Sequence, residues 1–162
     1  MRILGIDPGF ERLGIAILEK SPETRSRGKE CVLLFSECFK TSAKLQFSER
    51  LSLIGKGVKN IIRKFRPDVL AIETIFLNTN QKTVMRVAEA RGVVMYEASL
   101  SELRIFEASP LQIKIATTGY GRATKEQVMK MVKILIDIDN TKKSDDEPDA
   151  VAVALTALAH IK

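Results

Sequence analysis

Apolar positions open the chain in two short blocks, RILGID at residues 2–7 and GIAILE at 14–19, separated by PGFERL. Blocks of this length bounded by Pro, Gly and charged residues predict two strands joined as a hairpin. Beyond the polar segment SPETRSRGKE, the run CVLLFSECFKT at 31–41 has the composition of a third strand, so the chain opens with an expected three-stranded antiparallel unit. From Ser42 to Phe65 the period changes. Leu45, Leu51, Ile54, Val58, Ile61, Ile62 and Phe65 recur at three and four, while Lys56, Lys59, Arg63 and Lys64 fall mostly elsewhere. This predicts an amphipathic helix ended by Pro67. DVLAIETI at 68–75 is then almost continuously apolar, as a strand covered on both faces should be, and suits a parallel strand reached by a helical crossover. Glu73 is its exception.

After FLNTN a second helix is expected at about 80–99, followed by a strand LRIFEA at 103–108. Ser109 and Pro110 supply an N-cap and a first-turn proline for LQIKIATT, stopped by Gly119. GYGRA reads as a flexible basic link, Thr124 with Gln127 as a capping box before VMKMVKILI, and a last helix begins near Asp145. The order predicts an α/β fold with no internal repeat, and residues 1–162 as a single domain.

Composition narrows the function. The chain carries 26 Lys and Arg against 20 Asp and Glu, a net charge of +6, which favours an anionic partner or serves solubility alone. No apolar run approaches the roughly 18 residues of a membrane span. The start lacks the pattern of a secretory signal, so a cytoplasmic location is expected. Cys31 and Cys38 have no metal-ligand spacing, and His160 is the sole histidine, so the cysteines read as buried or half-buried thiols.

Against that basic background, SDDEPDAVAVALTALAHIK at 144–162 concentrates Asp145, Asp146, Glu147 and Asp149 before an apolar run. Acids at a helix start complement its positive end, which accounts for several of them. With Asp145 as N-cap and Pro148 in the first turn, Asp146 and Asp149 share one face, and Asp145 and Glu147 point elsewhere. Asp7 ends the first strand before a Pro-Gly turn that its carboxylate can cap. Glu73, inside an apolar strand, requires a cation, because an unpaired buried carboxylate costs several kcal/mol. If the first and fourth strands are neighbours, Asp7 and Glu73 lie side by side at their carboxyl ends, where α/β sheets place their sites. The last helix can bring Asp146 and Asp149 there. Four carboxylates repel one another unless positive charge enters, and two Mg²⁺ ions provide it, with Mn²⁺ as a substitute. Two such ions roughly 4 Å apart support phosphodiester hydrolysis.

Together GIDPG (5–9), AIETIF (71–76), EARGV (89–93) and DEPDAVAVAL (146–155) resemble the RuvC family of bacterial Holliday-junction endonucleases, from Met1 to about His160. The resemblance implies a ribonuclease H-like fold with a mixed five-stranded sheet flanked by helices, and a homodimer. It also implies Mg²⁺-dependent paired nicking of four-way junction DNA, in concert with the branch-migration proteins RuvA and RuvB. By the same resemblance Asp7, Glu73, Asp146 and Asp149 are the catalytic metal-binding carboxylates. Phe76 stands where the family stacks an aromatic on junction bases. Lys114 and Lys125 match lysines near the scissile phosphate, Arg122 lies beside the latter, and the EARGVVM helix resembles the family's dimer helix. Glu147 and Pro148 depart from the small residues usual between the paired aspartates.

Three alternatives stand beside it, two from other classes and one a related nuclease family. GIDPG also resembles the phosphate-binding element of sugar kinases and actin-like ATPases, but those need two such domains, and no P-loop is present. A non-catalytic junction binder would lack one of the carboxylates. The YqgF-type RNA-processing nucleases begin similarly, and the late D-x-x-D and the lysines argue against them.

Overall fold

The computed structural model describes residues 1–20, 31–75, 81–136 and 146–161. Five strands, β1 (Arg2–Asp7), β2 (Arg12–Glu19), β3 (Val32–Lys40), β4 (Val69–Glu73) and β5 (Arg104–Ala108), form one sheet in the order β3-β2-β1-β4-β5. The first three pair antiparallel, and β4 and β5 run parallel to β1, so the sheet is mixed as expected. Among the described residues five helices flank it: α1 (Phe47–Phe65), α2 (Gln81–Leu100), α3 (Pro110–Thr118), α4 (Lys125–Ile136) and α5 (Asp146–His160). Residues 21–30, Phe76 and Asp145 lie outside the described residues.

Strand alternation sorts the core into two layers. Leu4, Ile6, Leu70 and Ile72 pack against Ile54, Val58 and Ile62 of α1 and Ala90, Val94 and Ala98 of α2. Ile3, Val69 and Ala71 face the other way, onto α3, α4 and α5. Ile3, Leu4, Ile6, Leu70 and Ile72 are fully buried, each contributing roughly 1.5–3 kcal/mol relative to exposure.

α1 starts at Phe47, five residues later than its apolar period suggested. Leu45 N–H donates to the Ser42 carbonyl, closing a turn, and Gln46 N–H donates to the Glu49 carboxylate (2.8 Å), which sets the helix start. Its end is as expected, with Arg66 in the left-handed region (φ 47°) just before Pro67. β2 begins at Arg12, two residues early, because pairing with Lys40 of β3 extends it into the turn. α3 keeps its Ser109 cap and its Gly119 stop (φ 74°), and Thr124 and Gln127 exchange the hydrogen bonds of a capping box.

α5 approaches the sheet most closely. It is lined with Ala150, Ala152, Ala154 and Ala157, all buried. A Cβ added to Gly5 of β1 would stand 2.2 Å from the Ala150 carbonyl oxygen and 2.7 Å from the Ala154 Cβ. Glycine at this position is what lets the helix lie directly on the central strand.

Candidate active site at the carboxyl edge of the sheet

The same alternation that buries Ile6 and Ile72 on the α1–α2 side turns the next residue of each strand, Asp7 and Glu73, toward α5. β1 and β4 are in register up to the Ile6–Ile72 pair, so both acids stand one step further along, at neighbouring carboxyl ends. Asp149 lies on the first turn of α5, which Gly5 admits close to β1. Asp7, Glu73 and Asp149 line one cleft of about 330 Å³ together with Pro110, Ile113, Lys114, Lys125 and Val128. Three of the four expected carboxylates and two of the three expected cations therefore meet. Asp146 opens α5, with its side chain outside the described part of the structure. Arg122 is exposed and does not line the cleft.

The electrostatics follow from this crowding. Burial, and then the negative charge of Asp149, push the Glu73 carboxyl above its ordinary value, while the Lys125 ammonium pulls the other way. Lys125 Nζ sits 2.7 Å from Asp149 Oδ2, so a cation already meets part of the acidic charge, and Lys114, half-buried, also lines the cleft. Among the described residues no three acidic, histidine or cysteine side chains converge closely enough to hold a metal ion as they stand. The donors are carboxylate oxygens, suited to a hard divalent cation, and the mutual repulsion of Glu73 and Asp149 is what such a cation relieves.

Three positioning contacts were not apparent from the sequence. Arg91 of α2 donates from Nε to the Glu73 carbonyl (3.1 Å) and pairs with Glu107 of β5, clamping the end of β4 that carries Glu73. Glu147, only 8% exposed, accepts from Ser36 Oγ of β3 (2.7 Å) and ties the start of α5 to the sheet. Gly5 is the third. The expectation that Glu147 points away from the paired aspartates is consistent with its bond to β3. The signal for it was an acid where a small residue is usual; its partner, 111 positions away, has no local signature.

Comparisons with known proteins decide the family. Residues 3–157 match the family described as Crossover junction endodeoxyribonuclease RuvC. The chain belongs to the RuvC family. A RuvC from Halothermothrix orenii is 41% identical over 96% of this chain and 90% of its own length, and one from Finegoldia magna is 43% identical over 96% and 91%. Thermus thermophilus RuvC, solved in complex with a Holliday junction substrate, superposes with a TM-score of 0.86 at 31% identity, covering 96% of this chain and 92% of that one. The yeast mitochondrial resolvase Ydc2, at 14% identity and a TM-score of 0.68, covering 98% of this chain and 80% of its own, shares the fold. The RuvC match and the mixed sheet establish the ribonuclease H-like α/β fold. The RuvC family consists of metal-dependent nucleases. Among the described residues no helix is long and apolar enough to cross a membrane.

Proposed function

We propose that this protein is a Holliday junction resolvase whose single domain cuts four-way DNA junctions at the carboxylate cleft. The observation that carries the site assignment is the meeting of Asp7, Glu73 and Asp149 with Lys114 and Lys125 in one cleft. Asp7, Glu73 and Asp149, with Asp146, would hold two Mg²⁺ ions, with Mn²⁺ as a substitute. When bound, such ions supply a nucleophile from water and stabilise the leaving oxygen of a phosphodiester.

The chain's own residues do the rest. Asp7 and Glu73, fixed on adjacent strands, form the rigid half of the ligand set, and the paired aspartates of α5 the half that depends on helix packing. Lys114 and Lys125 hold the phosphate at the cleft mouth, where an ammonium acts as a point charge on non-bridging oxygens. Arg122, exposed beside α4, contributes a more distant phosphate contact, and Phe76 stacks on junction bases.

The near two-fold symmetry of a four-way junction suits a two-fold homodimer that presents two such clefts to strands of like polarity. Met85, Tyr96 and Leu100, exposed on α2 while Ala90, Val94 and Ala98 face the core, support that helix as the dimer surface. Cooperation with RuvA and RuvB, and a cytoplasmic location, complete the proposal.

Asp7→Asn, Glu73→Gln, Asp146→Asn and Asp149→Asn test it singly. Each is expected to lower the cleavage rate at least about 100-fold while binding the junction with near-native affinity in chelator. A variant that cuts at the native rate removes its residue from the ligand set.

A further inference from the structure

Arg86 lies on α2, on the side of the sheet away from the carboxylate cleft. Its guanidinium carbon sits 5.6 Å from the Phe10 ring centre and 5.4 Å from that of Phe47. The two rings meet edge to face at 5.9 Å and 76°. Beneath them, Arg50 is 4% exposed and lies 4.8 Å from the Phe10 ring, donating to Thr41 Oγ1 (2.9 Å) and the Phe10 carbonyl (3.3 Å). The lower arginine is thus consumed in anchoring the 10–11 turn. Arg86 is exposed, and among the described residues its guanidinium makes ring contacts only.

Two rings holding one planar cation reduce the freedom it would lose on binding and leave N–H donors directed at solvent, the fork geometry that matches a phosphate. The location is as informative as the shape. Phe10 follows Asp7 by three residues, Phe47 opens α1, and Arg86 lies near the start of α2, which follows β4. α1 ends where β4 begins, with Asp68 N–H bonded to the Arg2 carbonyl at the amino ends of β1 and β4. The start of α1 therefore lies at the other end, the carboxyl edge that carries Asp7 and Glu73. Lys114 and Lys125 belong to helices on the α5 side of that edge, and Arg86 to one on the α1–α2 side.

We propose that Arg86, held by Phe10 and Phe47, is a second DNA-phosphate site, gripping the backbone across the sheet edge from the catalytic lysines. This rests on the reading of the protein as a junction nuclease. A DNA strand crossing the edge meets cations on both sides, so its backbone is gripped at a second phosphate beyond the scissile one.

The test is junction affinity in chelator over a salt series, with single-turnover cleavage at saturating protein measured alongside. Arg86→Gln should bind several-fold more weakly, with a log–log salt slope smaller by about one, and should cut at a near-native rate once saturated. Arg86→Lys should restore the slope but only part of the affinity. Phe10→Leu, which leaves the charge in place but removes one ring, should weaken binding with the slope retained. Unchanged affinity and slope in a folded Arg86→Gln overturn this site while native cleavage leaves the resolvase reading standing. If the native protein neither binds nor cuts a junction, both fall.

Discussion

Glu73 shows at the scale of one residue how a site is set against stability. Its carboxyl is pushed upward by burial and by Asp149. A carboxyl held higher in the folded state than in the unfolded chain contributes stability at low pH that is lost as pH rises through the folded value. At neutral pH, without metal, the ionised Glu73 therefore costs the fold something. Glu73→Gln should raise the thermal stability of the metal-free protein at pH 7–8, by about 0.5–2 kcal/mol, with the gain shrinking as pH falls through the raised folded value toward the ordinary carboxylate value of 4.5, and gone below it. Melting curves in chelator across that range measure it, and a pH-independent difference would contradict the electrostatic account. Divalent metal should reverse the order, stabilising the native chain over the variant. The oddity of Glu73 was legible in the sequence because an acid within an apolar strand has no bland explanation. That the Lys125 charge offsets it was not, since Lys125 reaches the cleft only through the packing of α4 on α3 and α5.

Among the elements, strands and helix stops were the most legible, because period, Pro67, Ser109 and Gly119 act locally. The start of α1 was not, since Leu45 continues the helical period while the backbone from Ser42 to Gln46 satisfies its hydrogen bonds in a turn. Nor was the fit of α5 on β1, which depends on a glycine and alanines remote in sequence. Gly5→Ala should destabilise the fold by about 1–3 kcal/mol through overpacking and slow cleavage more than junction binding, because it pushes Asp149 away from Asp7. Thermal melts and single-turnover rates check both parts. The Ser36–Glu147 bond acts on the same helix from the other side. Glu147→Ala should cost about 1–3 kcal/mol by removing a hydrogen bond to a carboxylate. In a double-mutant cycle with Ser36→Ala the losses should be clearly non-additive. Additive losses would mean that the bond does not hold α5.

Across the whole molecule, the sheet is a partition. One side carries the carboxylate helix and the lysines, the other the helices whose outward apolar residues and stacked arginine suit a second subunit and more DNA. The net charge of +6, ambiguous by itself, acquires direction from this arrangement. Lys114 and Lys125 stand at the acidic cleft and Arg86 across the edge from it. Cleavage of an end-labelled four-way DNA junction decides whether this edge is a metal-dependent junction nuclease. Linear duplex and RNA serve as competing substrates, with Mg²⁺ or chelator, for the native chain and Asp149→Asn. The expected result is paired, symmetric, Mg²⁺-dependent nicks in the junction alone, absent in the variant. Junction binding without any cut, or preferential cutting of RNA, would contradict it.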